Sequence, residues 1–572
     1  MGEAAENKIH RRGAEDAEKM RTRRVLGWVA VAAGLLPAQT PASREEAGRA
    51  LRKAVEFYRG KVSTEGGYHF YYAADLSYGR SEHGEGPTQI EVQREATPGV
   101  GMALLEAWYA TGDRYYLGVA RDAAYALVRG QLCSGGWDYI IEFDAAKRDS
   151  KFYRADGRCT SEAAGDKAPP TTLDDNTTQG ALRLLMRVDR ELGFQDAKIH
   201  DAAQFALDSL LKTQYPNGAW PQRYRRPADP ALFPVKKASY PEAWSWKWPG
   251  ANYQTHYTFN DNTISDAIDL MLEAARIYNE PRYRSAAERG GGFILLAQMP
   301  EPQPGWAQQY DLDMHPSWAR AFEPPSVTGG ETQGILRTLM ALYRETGDRK
   351  YLEPIPRALA WLQRSALPPA EKPTEARRRV RPPVLARFYE LKTNKPLYVT
   401  KGSRASIRGG SSVNLDGYEL SYSDESVITH YGVLTSGADV EAIARDYEQI
   451  AAADPARLRR PERLHGLSPW SERERPARSA APSATQVRTM IDSMEARGAW
   501  IEDGRIGKAD RLISLYAARD MVVSIGGRTY PVKENETVEV FQGQQPPLEK
   551  VIRSATFSRN VEMLSAYLSA VK

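Results

Sequence analysis

Residues 178–186 (TQGALRLLM) return almost unchanged as residues 332–340 (TQGILRTLM), so one structural unit is used more than once in this chain. Internal similarity at long spacing means stacked supersecondary units, each too small to bury its apolar face alone. A second pair interleaves with the first. Residues 105–117 (LEAWYATGDRYYL) are echoed by 340–352 (MALYRETGDRKYL) and, more loosely, by 272–283 (LEAARIYNEPRY). Apolar positions at helical spacing followed by Thr-Gly-Asp-Arg predict a helix that stops at a glycine. A third signature, Gln-x-x-x-Gly-x-Trp, occurs at 131–137 (QLCSGGW) and 214–220 (QYPNGAW), with a longer variant at 298–306. Helix, turn, helix and a glycine-tryptophan loop, repeated, predict a mostly α fold: an incomplete (α/α) toroid of helical hairpins. Loops at one end of such a scaffold are where chemistry is carried.

Composition narrows the function classes. The net charge of +4 over 572 residues leaves no electrostatic footprint for nucleic acid. With 26% charged and 10% aromatic residues the chain is globular, not disordered. Its 12 Trp and 30 Tyr suit stacking on sugar rings and helix packing alike. Near the N-terminus Arg21, Arg23 and Arg24 precede an apolar run at 25–36, and Leu36-Pro37-Ala38 offers a small residue for cleavage, so a signal peptide is expected, with Met20 as an alternative start. The run is short for a bilayer span, so no membrane association beyond the export signal is expected and the protein is read as secreted or periplasmic. Cys133 and Cys159 are the only cysteines, and either bridge or remain as two buried thiols.

Punctuation divides the chain. Residues 1–45 read as presequence and 46–365 as the helical toroid. The Pro- and Arg-rich stretch from 366 opens a crossing segment to 452, with an extended or strand character near 387–398. Residues 453–484 read as a linker, and 485–572 as a small C-terminal extension of unread role with two amphipathic stretches.

The candidate chemistry starts from two related helix starts, Asp174-Asp175-Asn176-Thr177 and Asn260-Asp261-Asn262-Thr263. Taken singly, each is an N-cap signature. At the same end of repeated hairpins, however, their carboxylates converge, which suits Ca²⁺ or a general acid and base pair.

Three stretches, 171–180 (TTLDDNTTQG), 214–224 (QYPNGAWPQRY) and 257–262 (YTFNDN), followed in order by 305–325 and 387–396, resemble the family 10 pectate lyases of bacteria. The resemblance covers 103–398. It implies Ca²⁺-assisted β-elimination of polygalacturonate, with Asp175 and Asp261 as calcium carboxylates and Arg320 as the base that takes the C5 proton. Desolvation beside other cations would make that arginine a serviceable base. It further implies that Arg387 holds a substrate carboxylate through its planar fork. A second such cation falls on Lys401 without a gap, or on Arg404 with a small insertion, and Trp220 is assigned to the substrate as well.

The bland reading of Arg320 is a salt bridge to Glu323. Residues 227–253 are an insertion in the family pattern. Their Trp244, Trp246 and Trp248 alternate, so on an extended segment they would face one way, to stack on sugar or to pack on the toroid rim. Rival classes are an inverting glycoside hydrolase on the same toroid, a terpene cyclase-like protein, and a non-catalytic acidic-polysaccharide-binding protein. The hydrolase and the binding protein have no need of Arg320, and the cyclase's Asp-x-Asp-Asp motif is absent from the chain.

Overall fold

The computed structural model describes residues 40–160, 165, 167–250, 253–401, 418–425, 427–428, 431–459, 482–506, 512–516, 520–525, 528–532, 537–541 and 547–570. Residues Met1–Pro41 and Ala42–Lys572 are separate units, and everything below concerns the second. The expected signal peptide, most of the expected linker, and Arg404 lie outside the described residues.

The longer helices are α1 (Arg44–Phe57), α2 (Thr97–Thr111), α3 (Arg114–Arg129), α4 (Thr177–Glu191), α5 (Ala197–Thr213), α6 (Thr263–Tyr278), α7 (Pro281–Ala297), α8 (Gly329–Thr346), α9 (Ile355–Arg364), α10 (Val440–Ala452), α11 (Ala484–Asp492) and α12 (Ser554–Ala570). They form the expected (α/α) toroid, and its repeats have a physical explanation. At the Thr-Gly-Asp-Arg turns, Gly112 and Gly347 take φ of 71° and 73°, which a glycine adopts without steric cost, and their N–H groups donate to Trp108 O and Tyr343 O. The next residue, Asp113 or Asp348, then caps the following helix by accepting from Tyr115 N or Lys350 N.

The Gln-x-x-x-Gly-x-Trp signature is a staple between neighbouring hairpins. Gln131 Nε2 donates to Gly135 O in its own loop and to Ala202 O on α5, and Gln214 Nε2 donates to Gly218 O and to Ala286 O on α7. Gln298 repeats the pattern with Pro304 O and Pro354 O. The tryptophans turn back into the core, where the indoles of Trp137, Trp220 and Trp306 donate to Leu127 O, Leu210 O and Ile294 O at 2.8, 2.9 and 2.8 Å. Trp220 is fully buried. Its expected role on the substrate is therefore corrected: the ring packs between helices and presents no face to a cleft.

The C-terminal segment belongs to the same architecture. Residues 494–500 (MEARGAW) follow α11 as a further copy of the loop, with Trp500 Nε1 donating to Met490 O at 3.0 Å and Gly498 set against Lys53 O of α1. The helix α12 packs on α2 and α1, where Phe557 stacks on Tyr58 with centroids 3.7 Å apart. The strand Glu549–Arg553 pairs antiparallel with Tyr71–Ala73 on one side and Ile501–Gly504 on the other. The last hairpin in sequence thus stands beside the first. From Gly504 opposite Glu549, through Leu512 opposite Phe541 and Met521 opposite Val532, to Ile525 opposite Arg528, the strand pairs inserted in this hairpin keep one register.

Short strands after α9 complete the described core: Phe388–Tyr389 lies between Val327–Thr328 and Pro396–Lys401. Cys133 and Cys159 are disulfide-bonded, with Cα atoms 5.2 Å apart. No helix among the described residues is long and apolar enough to cross a membrane.

Candidate active site

Two turns at the starts of α4 and α6 build the centre. Asp175 and Asn176 have φ of 51° and 58°, and Asp261 and Asn262 have φ of 49° and 59°, so each repeat carries two consecutive non-glycine residues in the left-handed region. Asx residues tolerate this region best, and such strain collects at functional sites. Neither asparagine makes a side-chain cap to its helix. The N-cap reading of these sequences is thus replaced by a turn that aims the aspartate away from the helix. Buried Gln179 joins the two turns, its Nε2 donating to Leu173 O at 2.8 Å and to Thr263 O at 3.3 Å.

Carboxylate oxygens of Asp174, Asp175 and Asp261 come within 4.8 Å of one another. Asp174, unassigned from the sequence, is the third member. A cleft of about 420 Å³, lined by Glu82, Gln93, Glu95, Asp175, Asp261 and Asp266 among others, opens beside them. Burial, Asp174 and Glu82 raise Asp175 to about 6. Burial, then Asp174 and Asp175, raise Asp261 to about 7, against the pull of Arg387 and Arg320. The donor set suits a hard cation, which takes oxygen ligands. Buried Asp174 Oδ1, Asn176 Oδ1 and Gln93 Oε1 have no hydrogen-bond partner among the described residues, an arrangement a cation or its water would satisfy.

Arginines surround the carboxylates. Arg387 Nη2 donates to Glu331 Oε1 at 2.7 Å and to Asn260 Oδ1 at 3.2 Å, and its guanidinium lies 4.3 Å from the Tyr431 ring centroid. Arg320, 5.4 Å from the same ring, forms a two-pronged pair with buried Glu323: Nε to Oε2 at 2.8 Å and Nη2 to Oε1 at 2.6 Å. Burial alone would lower the pKa of Arg320, but the Glu323 carboxylate outweighs it and raises the pKa above the ordinary arginine value. The expectation that neighbouring cations make this arginine a readier base is therefore corrected, and the ion pair with Glu323 is present. Its Nη1 has no acceptor among the described residues, and the side chain is 41% exposed.

Two further residues escaped the sequence reading. Arg223 Nη2 donates to Tyr139 OH at 3.0 Å and lies 3.6 Å from Asp174 Oδ2, and Tyr139 OH donates to Asp174 Oδ2 at 3.0 Å. Tyr431 OH donates to Glu323 Oε1 at 2.7 Å, so one tyrosine braces both Arg320 and Arg387. Arg223 lies inside the matched stretch 214–224 but in a two-residue strand with no signature of its own. Lys401 ends the strand Pro396–Lys401 opposite Tyr418.

A family model described as "Pectic acid lyase" matches residues 131–408. No curated protein matches the chain in sequence. Among solved structures, the family 10 polysaccharide lyase from Cellvibrio cellulosa is similar at 20% identity, over 62% of this chain and 97% of that one, with a TM-score of 0.39. A mutant of it in complex with trigalacturonic acid gives 20% identity, 62% and 98% coverage and 0.40. The cellobiose 2-epimerase from Spirochaeta thermophila gives 15%, 56% and 69%, and 0.35. The match over residues 131–408, just under half of the chain, supports a polysaccharide lyase similar to the pectic acid lyases.

Proposed function

We propose that this cleft cleaves polygalacturonate by Ca²⁺-assisted β-elimination, leaving a 4,5-unsaturated galacturonide. The observation that carries the reading is the clustering of Asp174, Asp175 and Asp261 with Arg223 at Asp174 and with Arg320 and Arg387 acting on Asp261. A hydrolase needs a carboxylate pair and no ring of cations. Asp175 and Asp261, with Asp174 beside them, would hold the ion. Bound there, Ca²⁺ would draw negative charge from the sugar's C6 carboxylate as the C5 proton leaves.

Arg387, already fixed by Glu331 and Tyr431, offers a rigid fork to a uronate carboxylate. Arg223 offers a second cation from the opposite repeat, and Lys401 or Arg404 completes the set expected from sequence. Arg320 is assigned as the proton acceptor through its open Nη1 edge. The C5–H pair then forms the C4–C5 double bond as the C4–O bond breaks and the leaving oxygen takes a proton. Because Glu323 favours the charged guanidinium, the reactive neutral form is a small fraction that grows with alkalinity. Export through the 25–36 apolar run belongs to the same reading and agrees with the disulfide.

The test is incubation with polygalacturonate, with and without a chelator, following ultraviolet absorbance. An unsaturated product that chelation abolishes is expected. Saturated reducing ends appearing without absorbance would overturn elimination in favour of hydrolysis.

A further inference from the structure

The tryptophan-rich insertion is fastened at two places. Trp248 Nε1 donates to Ala319 O at 2.7 Å, one residue before Arg320, and Trp318 Nε1 returns the contact to Ser245 O at 2.8 Å. Lys392 Nζ donates to Pro241 O at 3.0 Å, fastening the insertion to the segment that carries Arg387. Between these clasps Trp246 stacks on Trp244, with centroids 5.7 Å apart, and meets Tyr422 edge to face at 5.3 Å. Tyr422 in turn donates to Glu390, three residues beyond Arg387, at 2.7 Å. Despite this anchoring, Trp246 and Tyr422 remain 40% and 47% exposed.

Exposed aromatic rings on a rigid base call for an occupant. Lys395 Nζ lies 5.0 Å from the Tyr422 centroid, and Lys247 is exposed next to Trp246. Rings for the apolar face of a sugar, interleaved with ammonium groups for carboxylates, match a chain of uronate units, and do not match an uncharged apolar partner. Two residues of extended chain, about 7 Å, separate Trp246 from the Trp248 that bonds beside Arg320, so the same polymer can reach both.

We propose that Trp246, Tyr422, Lys247 and Lys395 form an outer binding subsite for uronate units beyond the bond being cleaved. The proposal rests on the polyuronate reading of the cleft. A fixed platform immobilises little on binding, so its contribution goes into holding long chains. It predicts a preference for polymers over short oligomers.

The test compares kcat/KM on long polygalacturonate with that on the trimer. Trp246→Ala and Tyr422→Ala should each lower the polymer-to-trimer ratio about five- to tenfold, mainly through KM on the polymer. Trp246→Phe should keep most of the ratio, and Leu232→Ala, exposed on the same insertion but away from these rings, should keep all of it. Affinity electrophoresis in polygalacturonate with a chelator reads binding without turnover, and Trp246→Ala should migrate with less retardation there. Equal losses on both substrates, with or without a fall in melting temperature, would show a merely structural role and overturn the subsite, as would unchanged ratios with unchanged retardation. If the wild-type protein forms no unsaturated product from either substrate, the lyase reading fails, and the electrophoresis still decides whether the platform binds polyuronate.

Discussion

Asp175 and Asp261 keep their protons to about pH 6 and 7, where an ordinary aspartate has released them, because burial and neighbouring carboxylates oppose their charge. The folded protein therefore binds more protons than the unfolded chain between about pH 4 and 7. By linkage these groups lower stability as pH rises through that window. A cation held between them reverses the penalty, so Ca²⁺ should raise the melting temperature clearly at pH 8 and hardly at pH 5, as scanning calorimetry at both pH values would show. Asp175→Asn and Asp261→Asn should leave the metal-free protein as stable or more so, yet abolish the Ca²⁺ shift and cut turnover by at least about 100-fold. A loss of stability without loss of the Ca²⁺ shift would mean that the turns are structural only.

Arg320 works at the other end of the pH scale. Its pair with Glu323 keeps it charged, so kcat/KM should climb about tenfold per pH unit through the alkaline range, after the carboxylates have ionised. A plateau from about pH 8, or near-normal turnover in Arg320→Ala, would remove Arg320 from the role of base. The sequence identified two of the three carboxylates because Asp-Asn-Thr recurs, and passed over Asp174 because its counterpart in the second repeat is Asn260. That difference has a use in the fold: Asp174 meets Arg223, whereas Asn260 accepts from Arg387. Arg223 and Tyr431 come from a two-residue strand and a loop, where no periodicity marks a residue for attention.

At the scale of elements, the recurring words in the sequence are contacts between neighbouring hairpins, which is why the toroid was legible. The glutamine staples the loop to the next helix, the tryptophan fills the core, and the glycine lets the two backbones approach. Gly218 shows how tightly. It has φ of 94°, and a Cβ there would lie 2.0 Å from Arg289 O. Gly218→Ala should therefore cost about 2–4 kcal/mol by strain and overpacking, measurable by denaturant titration. A loss below about 1 kcal/mol would mean that this junction is slack. The left-handed Asp-Asn turns were less legible, since their sequence is equally that of an N-cap and only the backbone distinguishes the two. The stacked Trp244 and Trp246 and the clasped Trp248 were also beyond reach, because a shared face on an extended segment says nothing of which ring is covered by another.

At the largest scale, the first and last hairpins of the described unit are one structural piece. Residues 485–572 read as an extension because the last loop copy has Met494 in place of the glutamine and follows a helix of only nine residues, too short to show the repeat. Yet Ala42 N donates to Ala484 O at 3.2 Å, and Tyr567 OH donates to Ala42 O at 2.6 Å. On α12, Phe557, Val561, Leu564 and Leu568 are buried against the first hairpin. Uncovering those four side chains forfeits about 6–12 kcal/mol, comparable to the whole stability of a typical domain. The same hairpin supports the cleft. Glu549–Arg553 pairs with Tyr71–Ala73, and the segment that follows supplies Glu82 and Gln93, with Gln93 Nε2 donating to Asp175 Oδ2 at 3.1 Å. A chain ending at residue 482 should therefore lack a cooperative melting transition and polygalacturonate turnover, although it retains the whole 131–408 family match. Supplying residues 484–570 as a separate chain should restore both in part. A truncated protein that melts cooperatively and turns over at the full rate would show that the last hairpin is an appendage after all.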